Sequence, residues 1–493
     1  MSVIRKLAGQ TAIYGVSSIV SRLLNYLLVP LYTRVFVPEE YGVVTELYAY
    51  LTFAIILFTY GMETAFFNFS EKEPSRDKVF GTSLLSVLGT SFVLMMLMMV
   101  FSQQLADLLR YPGHPEYIIY FAVILATDAV SSIPFARLRQ QNKAKKFALL
   151  KTINILINIG LNLFFLVACP LMIKSGSGVL FTIATALYSP EIGVGYVFIS
   201  NLVASAVTTL MLWPEIAGLR LVFDWALLKR MIGYSLPLLV AGLAGMINET
   251  VDRVILKSLL PDKETAMYQL GIYGACYKIP MLMTLFIQTY RYAAEPFFFA
   301  QINKENNTAV YATVMKYFVL VCAFIFLAIM MYLDIIKYFI GEQYRSGLTI
   351  VPILLLANMC FGIFVNLSMW YKLTGKTKYG AYFTIAGAFI TILLNILLIP
   401  EMGYMGAAWA TLACYFVMMI LSYITGQKHF PVSYDLRRIS FYVFLALALY
   451  LASVMIHRSL NPGNLLSLLI NTGLLLAFTA GAFVSERPKK QVI

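Results

Sequence analysis

The run YGAYFTIAGAFITILLNILLIP, residues 379–400, contains no charged side chain. A membrane-crossing helix needs about 20 mainly apolar residues, whereas a barrel strand needs about 10 alternating ones. The run therefore reads as a transmembrane helix, which satisfies its own backbone hydrogen bonds in lipid. Working outward from it, comparable runs lie at about 9–36, 41–69, 80–103, 116–136, 147–172, 192–213, 229–257, 266–295, 308–333, 346–371, 403–425, 439–457 and 464–484. In chain order these are spans 1 to 14. They predict an all-α, polytopic membrane helical bundle with short loops.

Composition agrees. Of 493 residues, 60% are hydrophobic and only 12% are charged, about half the charged share of a soluble domain. Mean hydropathy is +0.78. No polar stretch is long enough for a separate soluble catalytic head. Net charge is +13, which loop topology explains without nucleic acid. Arg5 and Lys6 precede an apolar stretch that runs to Val37 and includes Arg22. That stretch is too long for a signal peptide and reads as a permanent first span. The five cysteines stand singly in apolar surroundings and the three histidines are scattered, so neither a metal nor another cofactor is expected. There is no G-x-x-x-x-G-K-[ST] loop and no nucleophile elbow. The sequence points to a non-enzyme.

Loop charge sets the orientation. With the N-terminus inside, 24 Lys and Arg fall on the inner side and 8 on the outer side. Cytoplasmic loops are enriched in these residues, so both termini are expected in the cytoplasm.

The chain also repeats itself. Lys143-Ala144-Lys145 precedes Leu161-Asn162-Leu163, and Lys376-Thr377-Lys378 precedes Leu394-Asn395-Ile396. Pro190-Glu191-Ile192-Gly193 opens span 6, and Pro400-Glu401-Met402-Gly403 opens span 12. Thirteen residues before Pro38 and Pro261 lie Asn25 and Asn248. The expected organisation is two pseudo-symmetric six-helix lobes, 1–215 and 229–425, with a cytoplasmic linker at 216–228. Spans 13 and 14 and a tail fill 426–493. Six spans per lobe make the repeat parallel, and transporters often hold substrate between such lobes near mid-membrane.

Span 2 begins at Tyr41-Gly42 and ends in Tyr60-Gly61-Met62-Glu63-Thr64-Ala65-Phe66-Phe67, and span 12 opens Gly403-Tyr404-Met405-Gly406-Ala407-Ala408. With the two lobes and two extra helices, this resembles the polysaccharide flippase family of the multidrug/oligosaccharidyl-lipid/polysaccharide exporter superfamily. The resemblance spans nearly the whole chain. It implies a flippase of the bacterial inner membrane, working by alternating access around a cationic cavity on oligosaccharides linked to undecaprenyl diphosphate. The implied setting is cell-surface polysaccharide, O-antigen or lipopolysaccharide synthesis, with a glycan polymerase and glycosyltransferases as pathway partners.

Ionisable residues inside spans are costly and tend to face a cavity or a partner. Arg22 shares a face of span 1 with Asn25. It reads either as a cation for the lipid diphosphate, whose oxygens a guanidinium binds bidentately, or as half of a structural ion pair. Asn248, Glu249, Asp252 and Arg253 crowd span 7, where Asn248 and Asp252 are expected to face the cleft; Asp252 and Arg253 are candidates for a role in transport, Arg253 as a diphosphate-binding cation, while Glu249 and Arg253 can also simply neutralise each other. In span 8, Lys278 has no partner within its own turn and is the better cavity candidate. Gln288, Arg291 and Glu295 share a face and read as a self-satisfied ladder or a second cationic site. Glu63, Asp128 and Asp252 are candidates for ion coupling. Glu63 and Asp128 are also candidates for pairing with Arg22 or Lys278. Asn154, Asn158 and Asn162 read mainly as interhelical hydrogen bonds, and the Lys143–Lys151 group as interfacial charge. Two other functions stay open: a multidrug or organic-cation antiporter, which wants an acidic cavity, and a membrane glycosyltransferase or polymerase, which wants a larger outer loop than 173–191.

Overall fold

The computed structural model describes residues 20, 23–217, 221–301, 307–460 and 463–486. The described residues are helical throughout their ordered elements. Twelve helices are long and apolar enough to cross a membrane, and a bent pair, Lys263–Tyr277 with Met281–Tyr292, makes a thirteenth. These are spans 2 to 14; the first part of span 1 lies outside the described residues, and its C-terminal end forms the helix Leu28–Val35. The protein is a multi-pass membrane protein. One loop is more ordered than expected: 173–191 holds a short helix, Val179–Leu187.

Local chemistry sets the helix starts. Span 2 opens with Pro38 in its first turn, and the Glu40 carboxylate accepts from the Val37 N–H at 3.2 Å. Ser75 caps span 3 through Lys78 N at 3.3 Å, and Asp262 caps span 8 through Thr265 N at 2.8 Å. Asp224 accepts from Leu227 N at 3.0 Å and pairs with Lys78 at 2.6 Å. The ammonium of Lys78 holds the Asp224 carboxyl below its ordinary range, as the capped N–H of Thr265 does for Asp262. Within the Tyr60-Gly61 motif, both residues are left-handed (φ 34° and 71°), which divides span 2 into Pro38–Thr59 and Met62–Ser70. A non-glycine there is strained, and a 2.6 Å hydrogen bond between Tyr60 and Ser86 holds it.

The chain packs as two compact units, Met1–Met246 and Ile247–Ile493. The division falls within span 7 (Trp225–Leu259) rather than in the 216–228 linker.

The first unit is centred on Met62, Phe66, Phe80, Val87, Ala129 and Ile133, all nearly inaccessible. The ends of spans 2 to 7 on the Lys143 side are tied by ion pairs: Glu63–Arg139, Asp77–Arg137 (3.1 Å) and Glu73–Arg230 (2.8 Å). Glu215, buried, receives both Lys143 (3.2 Å) and Lys146 (2.5 Å). Two readings are refined here. Glu63 takes Arg139 as its ion-pair partner; Arg22, the other partner considered for it, lies outside the described residues. Lys143 and Lys146 are not merely interfacial charge, because the buried Glu215 carboxylate needs counter-cations.

The second unit packs around Ala357, Cys414, Trp370 and Met418. Spans 13 and 14 are fastened to span 9. Glu486 accepts from Lys316 (2.5 Å), Tyr317 (3.1 Å) and Tyr442 (2.5 Å), and Asn471 donates to Met331 O (2.7 Å). Spans 9, 10, 12 and 13 enclose an apolar groove of about 470 Å³, lined by side chains that include Met359, Ile363, Phe416, Tyr434 and Val443.

The repeat anchors recur as local geometry. Asn142 before Lys143 and Gly375 before Lys376 are both left-handed, at φ 57° and 70°. Asn162 and Asn395 are both wholly buried, and each donates to the carbonyl four residues earlier, Asn158 O at 2.8 Å and Thr391 O at 2.7 Å. Gly193 and Gly403 close the two Pro-Glu-x-Gly turns at φ 46° and 55°, a conformation that only glycine adopts without strain.

Candidate substrate site

Span 8 is broken by Pro280. The ring removes a backbone donor and clashes with the preceding turn, and the helix bends by 47° between Tyr277 and Met281. Lys278-Ile279-Pro280 form the turn at the break. Asn358 of span 10 donates to Pro280 O at 3.0 Å and secures it. Irregular backbone at membrane depth is tolerated where it is buried in protein or lines a cavity, and broken helices carry substrate sites in many transporters. Lys278, partly buried, stands at this break.

Arg253 of span 7 is the neighbouring cation, close enough for the two charges to interact. Its guanidinium sits 4.4 Å from the centre of the Tyr277 ring and 5.9 Å from that of Tyr273, positions that a ring face favours for a cation. It donates to Glu249 O at 2.7 Å and reaches Asp252 Oδ1 at 3.4 Å. Asp252 is buried. It accepts from Tyr273 OH at 2.5 Å and from Arg253 N at 2.8 Å. Arg253 thus takes Asp252 as its ion-pair partner, and only the backbone oxygen of Glu249. The Glu249 side chain is exposed. Asp252 is thus the carboxylate in contact with the guanidinium, and Glu249 acts on it from farther off.

The other candidates divide. Arg22 lies outside the described residues. Asn25 is exposed. Asn248, expected in the cleft, is committed to packing in the second unit: it donates to Thr384 O at 2.9 Å and accepts from Thr391 at 3.4 Å. Arg291 is exposed in the second half of span 8. Glu295, expected in a ladder with Gln288 and Arg291, takes Lys372 as its ion-pair partner. Asp128 interacts electrostatically with Lys151 in the first unit. The asparagine series does link helices: Asn154 donates to Thr208 at 2.9 Å, and Tyr32 donates to Asn162 at 3.0 Å.

Sequence reasoning missed Pro280 as the helix breaker, although Lys278-Ile279-Pro280 is legible as such. It also missed Tyr273 and Tyr277, which hold Asp252 and Arg253, and Glu46, a wholly buried acid bonded by Tyr111. No local pattern separates those tyrosines from the chain's 32.

Residues 7–301 match the family described as polysaccharide biosynthesis protein. The chain belongs to that family. Among solved structures, this polysaccharide biosynthesis protein is similar to lipid II flippase MurJ in an inward closed conformation, with 13% identity, a TM-score of 0.74, and 96% of this chain and 99% of that one covered. It is also similar to an inward-facing multidrug resistance MATE family transporter of the MOP superfamily, with 16% identity, a TM-score of 0.64, and coverage of 86% and 95%. The outward-facing conformation of a transporter so described matches at 16% identity and a TM-score of 0.58, over 89% and 96%. At such identities the likeness is one of fold: this family member has the MurJ/MATE-like fold. No curated protein matches it by sequence.

Proposed function

We propose that this chain flips a polyprenyl-diphosphate-linked oligosaccharide from the cytoplasmic to the outer leaflet of the bacterial inner membrane. It serves cell-surface polysaccharide or O-antigen lipopolysaccharide synthesis, and it moves its substrate without changing it. The observation that carries this reading is the pair Lys278 and Arg253 at the break in span 8, two cations with one contacting carboxylate. A diphosphate entering low dielectric needs compensating cations, and a guanidinium and an ammonium supply both bidentate and point-charge contacts. Arg22 from span 1 and the exposed Arg291 of span 8 add to the cationic path. The repeat-related lobes, 1–215 and 229–425, rock to open the site to one side at a time. The sugar crosses in water while the isoprenoid tail stays in the bilayer, where the groove by span 13 offers an apolar surface. The family match and the fold shared with a lipid II flippase support the reading. The MATE likeness favours a second one, export of organic cations. Lys278 at the break, which among the described residues forms no ion pair, opposes it.

The test is reconstitution of the purified chain in vesicles that carry a fluorescent polyprenyl-diphosphate-linked oligosaccharide in the inner leaflet. A membrane-impermeant quencher should reach the label only when the chain is present. Transport of an organic cation with no movement of the lipid would overturn the assignment.

Orientation has its own check. Reporters fused after Lys146 and Lys378 should read cytoplasmic, and one after Lys263 extracytoplasmic. An extracytoplasmic signal at Lys146 would reverse the map.

A further inference from the structure

Between spans 5 and 6 the chain carries no charged side chain from Ser175 to Pro190. It turns at Gly176 and Gly178 (φ 74° and 97°) and then forms the nine-residue helix Val179–Leu187. At 1.5 Å per residue that helix is about 14 Å long, against a hydrocarbon core of about 30 Å, and it cannot cross a bilayer. It packs against Cys169–Lys174, the last turns of span 5 and the end remote from Lys143. Ala184, wholly buried, and Phe181, half-buried, are its inward side. Val179, Leu180, Ile183 and Leu187 fall on a stripe about 100° wide. All four are exposed, Val179 by 76%.

The far end of the helix is fixed as well. Tyr196 of span 6 is buried and stacks on two rings: Phe165 of span 5, with ring centres 4.5 Å apart and planes at 19°, and Tyr188, with centres 5.1 Å apart and planes at 11°. Its hydroxyl accepts from Ser189 N at 2.7 Å and donates to Leu187 O at 3.4 Å. Spans 5 and 6 therefore hold the helix in place with an apolar stripe turned outward. Leaving a Leu, Ile or Val side chain in water rather than burying it costs about 1.5–3 kcal/mol, so the stripe calls for an apolar cover.

The chemistry of the helix says what that cover is. Its two polar side chains are spent on its own backbone: Thr182 Oγ1 donates to Gly178 O at 3.3 Å, and Thr185 Oγ1 donates to Phe181 O at 2.9 Å. A protein interface carries about one hydrogen bond per 100–200 Å², and the stripe offers neither donor nor acceptor. Hydrocarbon requires none. Span 5 exposes Leu149, Leu156, Leu163 and Leu171 along its length, the kind of surface that lipid covers, and the helix adds to it where the span ends. Charge returns only at Lys174 and Glu191, on either side. We infer that Val179–Leu187 is an in-plane helix whose stripe inserts among the acyl chains of one leaflet, with phospholipid as its partner. It sets the depth at which the ends of spans 5 and 6 ride. On the topology read from loop charge, that leaflet is the outer one. The inference does not depend on what the chain transports.

Spin labels on the purified full chain test this in vesicles of phosphatidylethanolamine and phosphatidylglycerol. The five native cysteines are buried, so the nitroxide goes to an introduced one. Labels at Ile183→Cys and Leu180→Cys should collide more with oxygen, which concentrates in the bilayer, than with a water-soluble nickel chelate. A label at Lys174→Cys should show the reverse. Two stripe positions are used so that one variant failing to fold leaves the other to decide. Nickel access at the stripe equal to that at Lys174→Cys would put the helix in water and overturn the inference. Low collision with both probes would reveal a protein cover and overturn it too, and dipolar broadening between labels would then mark that cover as a second copy of the chain. No substrate is present, so neither failure touches the flippase reading.

Discussion

Lys278→Ala should lower the rate of lipid-linked glycan movement by about 10- to 100-fold, with the protein still present in the membrane. Hydrogen bonds to charged groups contribute about 1.5–3 kcal/mol, and every 1.36 kcal/mol is tenfold in rate. Lys278 is in a turn secured by Asn358 and Pro280 rather than by its own side chain, so its removal should leave the fold intact. Arg253→Lys keeps a charge beside Asp252 but loses the planar fork and the stack on Tyr277, and should retain part of the rate. Arg22→Ala, on the sequence argument for span 1, should act as Lys278→Ala does. The measurement is quencher access in vesicles, or restored surface glycan in a host lacking its own flippase, with membrane levels checked by blot. Wild-type rates from the Lys278→Ala, Arg253→Lys double variant would remove this cluster from the transport path while leaving the family membership untouched.

What the sequence made legible follows from which forces act locally. Span positions depend on runs of apolar residues, and each run carries its own information. The thirteen spans among the described residues lie where the hydropathy places them. Several markers of the repeat read from the sequence fall on or beside short-range devices, although Asn248 bonds across to another helix. Asn142 and Gly375 terminate helices, Gly193 and Gly403 close turns, and Asn162 and Asn395 bond one turn back. Charge partners are of another kind. Glu63 and Arg139 are 76 residues apart, and Glu215 is 69 from Lys146. Their pairing depends on helix rotation and tilt, which packing sets. Lys151 illustrates the limit: its position in a basic run near a helix start reads as surface charge, yet the ring of Phe135 holds it inside. At span 8 the breaker was in plain view as Pro280, whereas the tyrosine cradle of Asp252 and Arg253 arises only when two spans pack.

Asp252→Ala should be the most damaging single change in the second unit to stability, and the damage should reveal a structural role rather than ion coupling. The carboxylate is 4% exposed and the Arg253 side chain 12%. Removing one partner of a buried pair leaves an uncompensated charge, at a cost of about 3–5 kcal/mol, and the Tyr273 hydroxyl loses its acceptor as well. Native proteins are stable by only about 5–15 kcal/mol in total, so the variant should largely disappear from the membrane fraction. Asp252→Asn keeps an acceptor for Tyr273 but not the charge, and should fall between Asp252→Ala and wild type. Tyr273→Phe removes one donor and leaves the contacts of Arg253 with Asp252 in place, so it should cost about 1 kcal/mol. Thermal unfolding in detergent, followed by the monodisperse peak on size exclusion, should rank them in that order. A coupling acid behaves differently: its alanine variant stays folded at wild-type level and loses only gradient-driven transport. A stable, well-expressed Asp252→Ala chain with that transport defect would make Asp252 a coupling acid instead.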